Sequence, residues 1–291
     1  MKIIAKSSEK LIDVIHNQIG MNKTKIRNLL KYRRIELNGK VVERANELVN
    51  ENDQITIDYQ NKQDASSKKF PLPILFEDDY FIAVEKPAGI ITSGKDIHQN
   101  VTLQELVSVY LQDKTKGKQN AFIIHRLDKE VGGIVLMSKT EKLQQEMKDN
   151  WQKVRKLYYA FVEGCPNPSQ GKIETYLLDT QEQVVVVTNN KEEGKLAITH
   201  YKVIQKIGKN SLLEIELKTG RKNQIRVHLS HIGCPIVGDR KYGADASVLR
   251  QIRLHSYCLE FPHPVTQNII KIISQPPSNF TIVSKKNENY K

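Results

Sequence analysis

Long apolar runs are missing from this sequence. None approaches the roughly twenty residues that a helix needs to cross a bilayer, and the opening MKIIAKSSEK has too short an apolar stretch for a secretory signal. Cysteine is scarce as well. Cys165, Cys234 and Cys258 are odd in number, widely spaced and without a CxxC pair, which argues against a disulfide framework and for a reducing compartment. A soluble, cytoplasmic protein is therefore expected. There is no GxGxxG and no Walker sequence, and strand and helix patterns do not alternate regularly, so dinucleotide-binding and P-loop folds are set aside. Metal-ligand spacing is lacking too. His228, His231, Cys234 and His255 fit no zinc pattern, and the Asp78–Asp79 pair reads as a turn or cap rather than a cation site. Finally, acid is short: 33 Asp and Glu face 45 Lys and Arg, for a formal net charge of +12. That balance points to a polyanionic partner, nucleic acid before membrane.

What is present divides in two. With 291 residues the chain has room for two domains. In the first sixty, Leu11, Val14, Ile15 and Ile19 recur at helical spacing and stop at Gly20; a second helix is predicted from about Thr24 to Arg34. Lys23, Arg27, Lys31 and Arg34 share one face of that second helix. Residues 21–45 hold eight Lys and Arg against Glu36 and Glu43, a cationic face suited to a phosphate backbone. Asn38-Gly39 between IEL and VVE predicts a hairpin, and NDQITIDY at 52–59 a further strand. Residues 61–70 are polar and aperiodic and read as a linker.

Beyond the linker, YFIAVEK (80–86) reads as a strand ending in the Pro87-Ala88-Gly89 turn, 99–117 as a helical pattern and then a Lys/Gly-rich loop, and the stretch from Thr140 as another helix. Trp151, the one tryptophan, reads as packing. In KLYYAFVEG (156–164) alternation puts Tyr158, Ala160 and Val162 on one face and Leu157, Tyr159 and Phe161 on the other. Further strands are predicted at 172–178, 183–189, 197–205 and 211–218, then a helix over NQIRVHLSHIG with Arg221 and Arg226 at its start. The stretch around which the chain is organised is His125-Arg126-Leu127-Asp128-Lys129-Glu130-Val131-Gly132-Gly133, between the apolar runs AFII and IVLM. It places a carboxylate on a turn, with Arg126 and Lys129 beside it in sequence to keep it ionised.

HRLD before a glycine-containing loop and an apolar strand resembles the catalytic signature of the RluA-type RNA pseudouridine synthases. K-x-Y-x-A at 156–160 and TGRKNQIRVHL at 219–229, followed by GCPIVGDRKYG, continue the resemblance in order. TKIRNLLKYRRIELNGKVV is similar to the S4-type RNA-binding domain that often precedes that catalytic domain. The resemblance implies an α+β fold: a small α/β S4-like domain (1–60), a linker (61–70), a catalytic domain on a large mixed, mostly antiparallel β-sheet flanked by helices (71–283), and a flexible tail (284–291). It implies isomerisation of uridine to pseudouridine in RNA, with large-subunit ribosomal RNA favoured over transfer RNA, no cofactor, no metal, and a monomer. Asp128 would be the catalytic nucleophile or stabiliser, Arg226 its partner and Tyr158 the residue against the base. Arg126, Ile225, Arg221 and Lys86 would touch substrate, and Lys23, Arg27, Lys31 and Arg34 would hold RNA. Departures exist: Val131-Gly132 stands where the family has Thr-Ser, Lys222-Asn223 where it has Thr-His, and Cys234 where it has His. Two other readings compete. A glycosidase would need a second placed carboxylate, and Glu130 is the only one nearby in sequence. A non-catalytic RNA-binding protein of the same fold would need only the basic surface.

Overall fold

The computed structural model describes residues 1–31, 35–57, 72–94, 101–182, 184–247 and 251–283. The chain divides into two compact units, Met1–Lys69 and Phe70–Lys291. The linker expected at 61–70 and the tail at 284–291 lie outside the described residues.

In the first unit, β1 (Lys2–Ile4) and β2 (Glu9–Lys10) precede α1 (Leu11–Ile19) and α2 (Lys23–Lys31); β3 (Ile35–Leu37), β4 (Lys40–Val41), β5 (Leu48–Val49) and β6 (Gln54–Ile57) follow. The strands order β1-β6-β3-β4, with β2 paired to β5. Helix α1 starts at Leu11, the first of its periodic residues, because Glu9 and Lys10 pair with Val49 and Leu48. It stops at Gly20, which is left-handed (φ 66°) and returns its N–H to the His16 carbonyl. The Asn38-Gly39 hairpin forms as expected, both residues at positive φ (52° and 78°), joining Leu37 and Lys40. Leu11, Ile15, Ile26, Leu30, Ile35, Ile55 and Ile57 make the dry core of this unit.

The second unit contains β7 (Ile74–Glu77), β8 (Phe81–Lys86), α3 (Leu103–Thr115), β9 (Phe122–Ile123), β10 (Gly132–Ser138), α4 (Glu141–Asp149), β11 (Arg155–Glu163), β12 (Gln170–Asp179), β13 (Val185–Thr188), β14 (Lys195–Ile207), β15 (Asn210–Leu217), α5 (Gln224–His231), β16 (Leu254–Pro262) and β17 (Ile269–Ile273). Among the described residues eleven strands form one sheet, ordered β13-β12-β14-β15-β11-β16-β10-β8-β7, with β17 on β16 and β9 on β10. Only β10 and β16 pair in parallel there, at its centre. This is the α+β, mostly antiparallel architecture expected.

Local chemistry explains the elements. Thr102 and Glu105 form a reciprocal capping box at α3, and Thr140 caps α4. Along β11, Tyr158, Ala160 and Val162 enter one core with Leu213, Ile215 and Ile225, while Phe161 packs into another with Val237 and Phe280, as the alternation requires. A register shift between Leu157 and Tyr158 against β16 bends the strand at the tyrosine. Gly133 is obligatory: its φ is 115°, and a Cβ there would run into the Ser256 backbone of the parallel partner. Asp78 accepts from the Tyr80 and Phe81 N–H groups at 2.8 and 2.7 Å and closes the β7–β8 turn.

Two buried histidines make the fold acid-sensitive. His228 sits between the Thr199 and Thr175 hydroxyls (2.8 and 3.0 Å), and His255 meets the Ser274 hydroxyl at 2.9 Å. Burial pushes both rings down to about 4. Unfolded histidine titrates near 6.5, so the unfolded chain takes up protons first, and stability is lost as pH falls from that value towards 4. The expected loss is about 1.4 kcal/mol per ring by about pH 5.5. Urea unfolding at neutral and at mildly acid pH measures it. An unchanged midpoint would mean that the rings gain protons inside the native fold.

Candidate active site

Asp128 lies in the loop between β9 and β10, and three neighbours fasten that loop from behind. The buried Thr92 hydroxyl donates to the Leu127 carbonyl (2.7 Å) and accepts from the Leu127 N–H (3.2 Å). Gly89 donates its N–H to the Lys129 carbonyl at 2.7 Å. Lys86 reaches the same carbonyl at 3.1 Å and spends its other hydrogens on Pro87 (3.1 Å) and Ile90 (2.8 Å) carbonyls. His125 accepts the Leu136 N–H on Nε2 (3.0 Å) and stacks on Trp151 at 4.8 Å. Desolvation and the Lys156 charge push its pKa down to about 3, so it is a neutral brace.

Facing Asp128 is Arg226 in the first turn of α5. Its Nη1 donates to Asp128 Oδ2 at 3.1 Å across 98 residues of sequence. Its Nε and Nη2 grip both oxygens of Asp239 at 2.6 and 2.8 Å. The Arg226 and Asp239 side chains are 7% and 1% exposed, whereas Asp128 keeps 32%. Burial opposes the arginine charge, yet the Asp239 and Asp128 carboxylates more than restore it, and its pKa is raised. Tyr158 reaches the same cleft from β11. Burial, with the Asp128 charge adding to it against a hydrogen bond to Ser256, pushes its pKa up to about 12, so it carries its proton at neutral pH.

These residues line one open cleft of about 1570 Å³. Among the described residues, nine lysines and arginines and three carboxylates (Asp128, Glu130 and Asp239) border it, a balance that favours a polyanion. Asp239 is locked in two charge-assisted hydrogen bonds and has no access to solvent, so it cannot serve as the proton donor that a glycosidase needs.

The model for "RNA pseudouridylate synthase" matches residues 80–231, more than half of the chain. An uncharacterised RNA pseudouridine synthase of Synechocystis is 31% identical over 89% of this chain and 83% of its own length. The chain belongs to the RNA pseudouridylate synthase family. Another relative in it, the ribosomal large subunit pseudouridine synthase D of Pseudomonas aeruginosa, is 28% identical over 89% of this chain and 85% of its own. Human RNA pseudouridylate synthase domain containing 4 shares the fold, with a TM-score of 0.61 at 22% identity over 74% of this chain and 94% of that one. The family match takes in the Asp128 loop, β11 and all of α5, and stops short of Asp239.

Of the residues expected at the site of a pseudouridylate synthase, Asp128, Tyr158, Ile225 and Arg226 converge on the cleft, and Arg126 and Arg221 border it. Lys86 differs from expectation. It is fully buried and bonds only backbone carbonyls, so it holds the loop rather than a substrate. Burial pushes its pKa down to about 8, against the pull of the Asp128 and Glu130 charges. Arg221 is partly engaged in structure, its Nε donating to the Leu196 carbonyl at 3.0 Å. Among the described residues, Arg126 and Lys129, expected beside Asp128, form no ion pair with it, and the cation that meets it is Arg226. On α2, Lys23 pairs with Asp13 of α1 at 2.8 Å, and Arg27 is exposed. Arg34 and the Lys31 side chain lie outside the described residues. Sequence reasoning missed Thr92 and Asp239; the GDxxYG segment was its one signal for the second.

Proposed function

We propose that this chain isomerises specific uridines of large-subunit ribosomal RNA to pseudouridine. The observation that carries the reading is the pairing of Asp128, a partly exposed carboxylate with a single guanidinium contact, with Tyr158 inside a basic cleft. The ribosomal substrate is favoured by the relatives named for it. A uridine must leave its stack to enter, at a cost of a few kcal/mol. Arg126, exposed beside the cleft, would hold the backbone or fill the vacated position. Asp128 attacks or electrostatically stabilises C1′ as the N-glycosidic bond breaks. The uracil turns against the Tyr158 ring with Ile225 beside it; C5 bonds to C1′, displacing Asp128 if it has added there, and the C5 hydrogen leaves as a proton while N1 takes one up. Because Tyr158 is a protonated phenol, it stacks on the base and donates a hydrogen bond, and it accepts the C5 proton only after releasing its own. Arg226 orients Asp128 through its Nη1 hydrogen bond. The scheme exchanges one C–N bond for one C–C bond without redox change.

A carbodiimide-based pseudouridine map of cellular RNA, with and without the gene, tests this. Loss of marks in large-subunit ribosomal RNA is the expected result. An unchanged map would favour a binding protein, and Val131-Gly132 would be the first difference to examine.

The first unit, read as S4-like, would supply sequence-independent affinity through α2. Arg27→Glu in the full chain is expected to weaken RNA binding at low salt and to lower the slope of log K against log salt by about one. Equal slopes for mutant and wild type would remove α2 from the interface.

A further inference from the structure

The two carboxylates on Arg226 are treated unequally. Asp239 receives two short, charge-assisted hydrogen bonds in the bidentate geometry that binds a guanidinium most firmly. Asp128 receives one, at 3.1 Å, from an Nη1 that also reaches Asn223 Oδ1 at 3.2 Å. Each side of this clamp is itself fixed. The Asp239 N–H donates to the Ile236 carbonyl (2.9 Å), and its carbonyl accepts from the Tyr242 and Ala244 N–H groups (3.0 and 3.2 Å). The preceding Gly238 is at φ 83°, where a Cβ would run into the Gln251 backbone. Asn223 precedes α5 in a left-handed conformation (φ 53°), a region that asparagine tolerates. Its Nδ2 donates to the Tyr242 hydroxyl at 2.9 Å, and its Oδ1 faces Arg226, whose guanidinium can only donate. The Tyr242 ring lies under the guanidinium, 5.0 Å from its carbon.

We propose that Asp239 and Asn223 are positioning residues for the isomerisation: they orient the Arg226 guanidinium so that one N–H meets Asp128, and they draw off its charge so that Asp128 remains an incompletely neutralised anion at the cleft. The inference rests on the reading of Asp128 as the reacting carboxylate. Asp128, Arg226 and Asp239 together carry one net negative charge, and the surplus falls on the carboxylate that is both less tightly bonded and open to the cleft. If Asp128 were gripped on both oxygens it would be a spectator, as Asp239 is. If Arg226 were held only by Asp128, its long side chain would be free to leave with the substrate phosphates. Both border the cleft, and in this scheme both act through Arg226.

Two full-chain variants test the proposal, Asp239→Asn and Asn223→Gly. The first removes the charge and one acceptor at nearly constant shape. The second removes the amide while glycine accepts the positive φ without strain. Single-turnover pseudouridine formation is measured on a transcript spanning a site whose mark depends on this chain, alongside RNA affinity and thermal unfolding. The expected result is a rate loss of about a hundredfold for Asp239→Asn and about tenfold for Asn223→Gly, with RNA affinity held within about threefold. Rates within about threefold of wild type, or rate losses matched by equal losses of RNA affinity, overturn the proposal. If Asp239→Asn does not fold, Asn223→Gly decides by the same criterion. Asp128→Ala runs in parallel. Its activity, if retained, refutes the reading of Asp128 itself; an inactive Asp128→Ala beside fully active positioning variants refutes only this inference.

Discussion

Asp128→Ala is expected to lower single-turnover pseudouridine formation by at least about 10⁴-fold while RNA affinity stays level or rises. The size follows from what the side chain does in the proposed scheme. Among the described residues it is the one carboxylate in the cleft that combines solvent access with a placed cation, and removing a nucleophile or the main electrostatic stabiliser takes away most of the barrier reduction. Affinity should not fall, because Asp128 contributes a negative charge to a surface that binds a polyanion. The loop should keep its shape, since Thr92, Gly89 and Lys86 hold it through backbone groups that the substitution leaves alone. Activity within about tenfold of wild type would end the assignment of Asp128. Loss of binding in step with activity would instead indicate that the loop had moved.

The second large effect concerns stability. Arg226→Met is expected to cost about 3–5 kcal/mol, because it leaves Asp239 buried without the guanidinium that holds both its oxygens. Set against a typical total of about 5–15 kcal/mol, that is a large fraction of what holds a fold together. The remedy tests the cause. Adding Asp239→Asn to Arg226→Met removes the stranded charge and should recover a good part of the loss, while activity stays absent because Asp128 still has no partner. Urea unfolding of the two variants measures the difference. A loss of under about 1 kcal/mol for Arg226→Met would mean that Asp239 relaxes to water, and that the clamp is looser than its hydrogen bonds imply.

Much of the fold could be read in advance because its causes are local. The Asn38-Gly39 turn needs two positive φ values, which those residues adopt easily. Thr102 and Thr140 can cap because the N–H groups they bond lie three residues on. The faces of β11 follow from alternation, and Tyr158 could be placed with Ala160 and Val162 before any partner strand was known. Boundaries were less legible. AFII reads as a strand, yet only Phe122 and Ile123 pair with β10; the two residues after them turn into the loop that carries Asp128.

The electrostatics of the site were the least legible part. Arg126 and Lys129 stand beside Asp128 in sequence, but on a turn adjacent side chains diverge, and the cation that meets Asp128 comes from α5. Lys86 resembles a substrate ligand in the sequence and is a buried strut in the fold, because the β8 terminus runs beneath the loop it secures. The cationic stripe of α2 is interrupted by Asp13, contributed by the neighbouring helix. By itself, the sequence determined the elements, their caps and turns, the glycine that β10 needs beside β16, and which side chains could do chemistry. Tertiary structure alone decided which charge meets which: that Arg226 would serve two carboxylates, that Asp239 would take the larger share, and that Asp128 would be left partly open. The reason is one of range. Backbone preferences and capping bonds act within a few residues, whereas ion pairs act over a few ångströms of space, and only the order of strands in the sheet brings residues about a hundred positions apart to that distance.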